Sequence, residues 1–153
     1  MKEKNKNIFY DVKSLERTMD IEKRCNKGYL QKKLSKAFPN EKLTVVEAYI
    51  NTSGKFINKS KGLLGSLLPI NRVHNLPEFC HVVVEHSTGK FTEKIFIWSP
   101  VKWNDRFLGC VGGGTATGGE GYINAPDNTS RSATLPKAVL NGFTGATTDA
   151  ACT

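Results

Sequence analysis

The sequence lacks several features that identify whole classes of protein. No apolar run among its 153 residues reaches the roughly 18 residues of a membrane-spanning helix. Met1 is not followed by the roughly 7 to 15 apolar residues of a secretory signal. The four cysteines form no C-x-x-C pair, which excludes a zinc ribbon and a thioredoxin-type redox motif. We expect no membrane partner, and the cellular location stays unassigned.

Positive charge is missing from the second half of the chain. Residues 1–75 hold 16 Lys and Arg against 7 Asp and Glu, or +9, whereas residues 76–153 hold 6 against 7, or −1, which together give the net charge of +8. A segment without a positive field does not capture phosphate. The lysines of the first half lie opposite an apolar helical stripe, which is typical of a solvated face, and no aromatic platform interleaves them. We therefore predict no nucleic-acid partner, with a basic nucleic-acid-binding module as the alternative.

The length and the 39% apolar content predict one domain, or part of a larger one, over residues 21–153, preceded by a flexible leader over residues 1–20. Apolar residues recur every three to four positions from Ile21, which predicts an amphipathic helix that ends at Pro39. These residues are Cys25, Tyr29, Leu30, Leu34 and Phe38. A strand is predicted over residues 43–50 and a loop over residues 55–75.

The second half contains a clear pattern of strands and one helix. Residues 79–86 and 91–98 flank a glycine-containing turn, which predicts a β-hairpin. A short strand over residues 106–111 is followed by a helix over 133–141 and a strand over 143–148. A strand, a crossover helix and another strand in that order favour an α/β sheet.

A glycine-rich segment follows the strand at residues 106–111. Seven of the fourteen glycines lie between Gly109 and Gly121. A dinucleotide-binding loop is excluded because Thr117 stands where its third glycine belongs, and a P-loop is excluded because the segment has no lysine. Two interpretations stay open. The segment is either a mobile surface loop or an oxyanion hole, whose donors are each worth roughly 2.7 to 4 kcal/mol in a transition state.

Four segments together resemble one enzyme family. They are Leu76-Pro-Glu-Phe-Cys80, the Trp-Asn-Asp-Arg-Phe-Leu run of residues 103–108, Gly112-Gly-Gly114, and the run from Gly142 to Asp149. In order and spacing they resemble the amino-terminal part of the tannase and feruloyl esterase family, α/β-hydrolases that cleave esters of aromatic acids. The resemblance implies an incomplete α/β-hydrolase fold with an amino-terminal helix, a β-hairpin, the first strands of a mixed sheet and one crossover helix.

The resemblance also implies roles for particular residues. Gly112, Gly113 and Gly114 correspond to the oxyanion loop, and the substrate is a small aromatic ester. Cys25 and Cys80 correspond to a pair of family cysteines that form a disulfide, with two free buried thiols as the alternative. Trp103 and Arg106 are expected to be structural, Arg106 by pairing with a carboxylate. No cofactor is implied, and Asp105 stands where the family usually has glycine.

The catalytic triad of that family has no counterpart in this sequence. No serine has the G-x-S-x-G context, and the three histidines (His74, His81, His86) all precede the glycine-rich segment. His81 and His86 fall on opposite faces of a predicted strand, so no metal site is expected. We predict an inactive fragment whose partner is the missing carboxy-terminal portion of the same fold. Truncation, a frameshift and a split gene stay open as reasons why the catalytic portion is missing. A non-catalytic interaction domain is a further alternative.

Overall fold

The structure is a computed structural model that describes residues 20–57, 72–110 and 134–148. In chain order the elements are α1 (Lys27–Ala37), β1 (Lys42–Asn51), β2 (Lys55–Ile57), β3 (Arg72–His74), β4 (Phe79–Ser87), β5 (Thr92–Pro100), β6 (Phe107–Gly109), α2 (Leu135–Leu140) and β7 (Thr144–Thr148). The mixed α/β content agrees with the sequence prediction. No helix in these three ranges is long and apolar enough to cross a bilayer.

Five strands form the main sheet, in the order β1-β4-β5-β7-β6. The pairs β1–β4, β4–β5 and β5–β7 are antiparallel, whereas β6 runs parallel to β7. The strand that follows α2 therefore lies between the hairpin and β6. The sheet is mixed, as predicted, and its one parallel pair is the pair that α2 connects.

The first helix is shorter than the sequence predicts. Residues 20–24 are helical, but the helix breaks at Cys25 and α1 begins after Asn26. The Asn26 side chain accepts hydrogen bonds from the backbone N–H groups of Gly28 at 2.9 Å and Tyr29 at 3.2 Å. An asparagine in this position satisfies amides that an uninterrupted helix would bond internally, so it starts a new helix. The prediction of one continuous helix is wrong at this point.

Two glycines adopt the left-handed backbone that their positions require. Gly89, in the turn between β4 and β5, has φ +89°, and Gly142, after α2, has φ +76°. At Gly142 a Cβ would also lie 3.2 Å from the Asn104 Nδ2. The predicted hairpin and the predicted end of the second helix are both confirmed.

The loop predicted over residues 55–75 is ordered at both of its ends. β2 and β3 pair antiparallel there and form a separate two-stranded sheet. Phe56 of β2 packs against the core, and Val73 of β3 is buried in it. Residues 58–71 lie outside the described part of the chain.

Alternation along β4 separates two hydrophobic clusters on the two faces of the main sheet. The cluster under α1 contains Cys25, Val45, Cys80, Val82 and Val84. The cluster under α2 contains Val73, Leu76, Phe79, Trp98, Cys110, Leu135 and Val139. Each helix therefore covers its own face of the sheet.

Gly145 of β7 allows α2 to pack directly on the sheet. A Cβ at this residue would lie 2.8 Å from the Ala138 Cβ and 3.0 Å from the Leu135 Cδ2. Carbon atoms in ordinary contact stay farther apart than this, so any side chain would push the helix away. Glycine at 145 thus fixes the close packing of α2 against β7.

Candidate functional site

The two anchors of the glycine-rich segment are well packed. β6 ends at Gly109, and the next residue, the buried Cys110, donates its backbone N–H to the Ala146 carbonyl at 2.7 Å. At the other anchor, the hydroxyl of the fully buried Thr134 accepts a hydrogen bond from the Lys137 backbone N–H at 3.3 Å and caps α2. Gly112, Gly113 and Gly114 lie between these anchors, outside the described residues.

These anchors put the start of the segment at a specific edge of the sheet. β6 and β7 are parallel, so their carboxyl ends lie at the same edge. In open sheets with parallel strands, ligands bind outside the carboxyl ends of those strands. Residues 111–133 leave from the carboxyl end of β6 and return to the amino end of α2, so they begin at that edge.

Cys110 lies at the base of the glycine-rich segment, where the sequence pattern assigns it no role. Its thiol is buried and contacts the Leu108 carbonyl at 3.7 Å. Burial raises the pKa of this thiol to about 11. A thiol with such a pKa stays protonated at neutral pH and is a poor nucleophile. Cys110 therefore packs the base of the segment and is not a candidate for chemistry.

The segment from Trp103 to Arg106 fastens the β5–β6 connection to the end of α2. The Trp103 indole donates a hydrogen bond to the Arg106 carbonyl at 2.7 Å. Asn104 donates from its Nδ2 to the Asn141 carbonyl at 2.9 Å and accepts at its Oδ1 from the Arg106 N–H at 3.1 Å. The Arg106 guanidinium lies 5.9 Å from the centre of the Phe143 ring. The predicted pairing of Arg106 with a carboxylate stays a prediction.

Asp105 has a backbone conformation that favours glycine. Its φ is +65°, in the left-handed region. Glycine adopts this conformation without a steric penalty. Aspartate is one of the few other residues that tolerate this conformation.

Cys25 and Cys80 form a disulfide, with their Cα atoms 5.8 Å apart. Both residues are buried in the cluster under α1. The bond joins the helical break before α1 to the second residue of β4. It therefore holds the amino-terminal helical segment against the β4–β5 hairpin.

The histidines of β4 point to opposite faces, as predicted. The ring of His81 is buried beside Tyr49, with centroids 5.0 Å apart, and its Nε2 lies 3.4 Å from the Glu47 Oε2. Burial lowers the pKa of His81, although Glu47 opposes part of that effect. In the three described ranges, no group of three or more potential ligands is arranged to hold a metal ion.

His86 joins two carboxylates on the α1 side of the sheet. Its Nδ1 lies 3.0 Å from the Glu93 Oε1, and its Nε2 lies 3.1 Å from the Glu41 Oε2. Hydrogen bonds to Glu93 and Glu41 raise the pKa of His86 above its usual value. Only the protonated ring donates from both nitrogens, so this bridge is complete only when His86 is charged.

We expect His86→Gln to destabilise the protein at mildly acidic pH but much less at alkaline pH. A histidine whose folded pKa is raised contributes stability below the unfolded pKa of about 6.5, and this stability is lost as the pH rises through the folded pKa. Urea unfolding near pH 5.5 and near pH 9 measures the loss of stability at each pH. The first value is roughly one unit below the unfolded pKa of histidine, and the second is well above it. His74→Gln, which replaces an exposed histidine, is the matched control. An equal loss for His86→Gln at both pH values would contradict the charged bridge.

A surface groove of about 470 Å³ lies at the opposite edge of the sheet from Cys110. It is lined by Asn75, Leu76, Pro77, Pro100, Lys102, Val139, Leu140 and Gly142. Gly142 precedes β7 and Pro100 ends the antiparallel β5, so the groove faces the amino ends of the parallel strands. This position separates it from the edge at which residues 111–133 begin.

Comparison of the chain with models of protein families, with curated proteins and with solved structures finds no match in any of the three. The described part of the chain is defined by its fold alone, a mixed α/β arrangement with a mixed sheet. Its one parallel strand pair is joined by a connection rich in glycine, and a disulfide fastens its amino-terminal helical segment to the sheet.

Proposed function

We propose that this chain is the amino-terminal part of a serine carboxylic-ester hydrolase of the tannase and feruloyl esterase type. In this proposal the backbone amides of Gly112, Gly113 and Gly114 stabilise the oxyanion formed from a small aromatic ester. The nucleophile, the acid and the histidine belong to other polypeptide. The chain alone is therefore inactive.

The observation that carries the proposal is the topology of β4, β5, β7 and β6. An α/β-hydrolase takes one oxyanion donor from the loop between its third strand and its first helix. Here an antiparallel hairpin is followed by β6, the glycine-rich segment, α2 and a β7 that is parallel to β6. If β4 is counted as the first strand, Gly112–Gly114 follow the third strand and precede the helix. This is a fold-level analogy, and it supports the role of the segment.

The disulfide gives separate support. Cys25 and Cys80 are the two cysteines that the family resemblance pairs, and they are 55 residues apart in the sequence. The structure joins them and leaves Cys110 free. A single bond could join any two of the four cysteines, so agreement with the expected pair is informative.

The chemistry assigned to the glycines needs only backbone groups. In an acyl transfer the substrate carbonyl becomes a negatively charged oxygen, and amides already aimed at it need no reorganisation. Glycine suits this task because a backbone without a Cβ can approach a ligand closely. The burial of Cys110 and Thr134 at the two anchors gives the segment fixed points on the sheet.

A fusion enzyme tests the proposal. The full chain is joined at its carboxyl end to the part of a tannase-type esterase that carries the nucleophile, and hydrolysis of an activated phenyl ester is measured. We expect turnover by the fusion and none by the chain alone. A fusion in which the nucleophilic serine is replaced with alanine is the control.

Two results would count against the proposal. The first is a folded fusion, with the circular dichroism of a mixed α/β protein, that has no activity above that of the serine-to-alanine control. The second is turnover by the isolated chain that a serine-directed reagent abolishes, because the proposal gives this chain no nucleophile.

A further inference from the structure

The outer face of α1 carries only positive charge. Lys32, Lys33 and Lys36 lie on this face around Tyr29, and we call these four residues the basic face. All four are exposed, and they lie on the side of the helix that faces away from the sheet, whereas Leu30 and Leu34 pack towards it. The helix contains no acidic residue. Among the described residues, no ion pair neutralises the three lysines.

The charge of the surrounding segment has the same sign. Residues 20–42 hold seven Lys and Arg against three Asp and Glu, a net charge of +4. Asp20 pairs with Arg24 and Glu41 with His86, so neither acid pairs with a lysine of the basic face. The basic face therefore presents a positive surface to solvent.

Tyr29 supplies what the sequence analysis does not find, an aromatic side chain among the lysines. Its place in the apolar repeat predicts a buried residue, but the break at Cys25 and Asn26 resets the start of the helix and leaves Tyr29 38% exposed. The Nζ of Lys33 lies 5.6 Å from the centre of its ring. A cation is attracted to the face of an aromatic ring, so Lys33 and Tyr29 lie together on this surface.

We propose that the basic face binds single-stranded nucleic acid, with the lysines on backbone phosphates and an unpaired base stacked on Tyr29. Such sites combine a positive surface that follows the backbone with aromatic rings on which bases stack. An anionic membrane fits less well because a helix that lies in a bilayer surface must insert its apolar stripe. On α1 that stripe is packed against the sheet through Leu30 and Leu34. This inference is independent of the proposed esterase function.

The charge requirement is tested with fluorescence anisotropy of a labelled single-stranded oligonucleotide longer than the roughly 4 to 16 nucleotides that one such site covers. The variant changes Lys32, Lys33 and Lys36 to glutamine. The control changes Lys55, Lys90 and Lys102, exposed lysines outside the helix, to glutamine and so has the same net charge. For single strands, the slope of log affinity against log salt concentration is about −0.7 for each phosphate contact. Loss of three such contacts should therefore reduce the size of this slope by about 2 in the first variant. The control should keep the wild-type slope.

The stacking requirement is tested with two substitutions of Tyr29. Tyr29→Leu removes the aromatic surface, and we expect it to weaken binding at least about fivefold, the lower end of the effect of losing one stacked base. Tyr29→Phe keeps the ring and should bind like the wild type. Both variants are checked for wild-type circular dichroism, since Tyr29 is partly exposed and its replacement should leave the fold intact.

Three results would overturn the proposal. One is the absence of oligonucleotide binding at roughly 50 mM salt, where contacts with phosphate are strong. Another is an equal loss of binding in the two lysine triple variants, which would show a dependence on net charge alone. The third is binding to vesicles of phosphatidylcholine and phosphatidylserine that exceeds binding to the oligonucleotide, because the occupant would then be a membrane surface.

Discussion

Replacing both Cys25 and Cys80 with alanine is expected to lower the free energy of unfolding by about 4 kcal/mol. The two cysteines are 55 residues apart, and a crosslink of that span removes about 14 cal/mol/K of chain entropy from the unfolded state in the loop-closure model. The folded state also loses the attachment between the helical break and β4. Equilibrium unfolding in urea under non-reducing conditions measures the change.

The matched control for the disulfide is Cys110→Ala. Cys110 is buried like the other two but is free, so its replacement removes packing without removing a crosslink. We expect a loss of about 1 kcal/mol, the value of one small buried group. A reducing agent should destabilise the wild type as much as the double substitution does and should leave the double variant unchanged. If reduction left the wild-type transition unmoved, the bond would carry none of the stability assigned to it.

Phe79→Ala is expected to destabilise the protein by about 3 to 5 kcal/mol, the usual range for a buried aromatic residue. Phe79 has no exposed surface and stacks on the equally buried Trp98, with ring centroids 4.4 Å apart. Both rings lie in the cluster between the sheet and α2, so the cavity would open in the centre of that layer. Urea unfolding monitored by the fluorescence of the two tryptophans, of which Trp98 is the buried one, measures the change.

Phe91→Ala is the control for the core substitution. Phe91 lies just before β5 and is 65% exposed, so the same change should alter stability by no more than about 0.5 kcal/mol. Equal losses for the two substitutions would mean that the α2 side of the sheet is not packed as described.

Local signals in the sequence predict most of the individual elements. The turn with Gly89 and the alternating residues on either side of it predict the hairpin, and both strands form there. Gly142 likewise predicts where α2 ends, since only glycine reaches a φ of +76° without strain. These signals are strong because the geometry depends on a few neighbouring residues.

Features that depend on distant parts of the chain could not be predicted in this way. The position of β7 between β5 and β6 is set by packing across the sheet and has no local signal. The pairing of β2 with β3 joins two ends of a segment that reads as a loop. The exposure of Tyr29 follows from the break at Cys25, where the disulfide to β4 holds the backbone.

Gln31 is a further residue whose role is visible only in the fold. Its side-chain amide donates to the Leu43 carbonyl at 3.0 Å and accepts from the Val45 N–H at 2.7 Å. β1 is an edge strand of the sheet, and Gln31 bonds to its open side as a neighbouring strand would. Exposed edges otherwise attract other chains, so Gln31 helps to protect this one.

The candidate site was predicted from its glycines and from its place between a strand and a helix. The structure confirms the strand and the helix at residues 107–109 and 135–140 and describes their anchors at Cys110 and Thr134. The oxyanion role of Gly112–Gly114 stays a prediction, because those residues lie outside the described part of the chain.

The most direct test of the central claim is the turnover number of the fusion enzyme when Gly113 is replaced with proline. Proline has no backbone N–H, so it removes the proposed donor, and the turnover number should fall by about 100- to 1,000-fold. Gly118→Pro, the same change in the same segment, should retain more activity. Equal activity of the Gly113→Pro fusion and its parent would contradict the claim that this chain supplies the oxyanion donor.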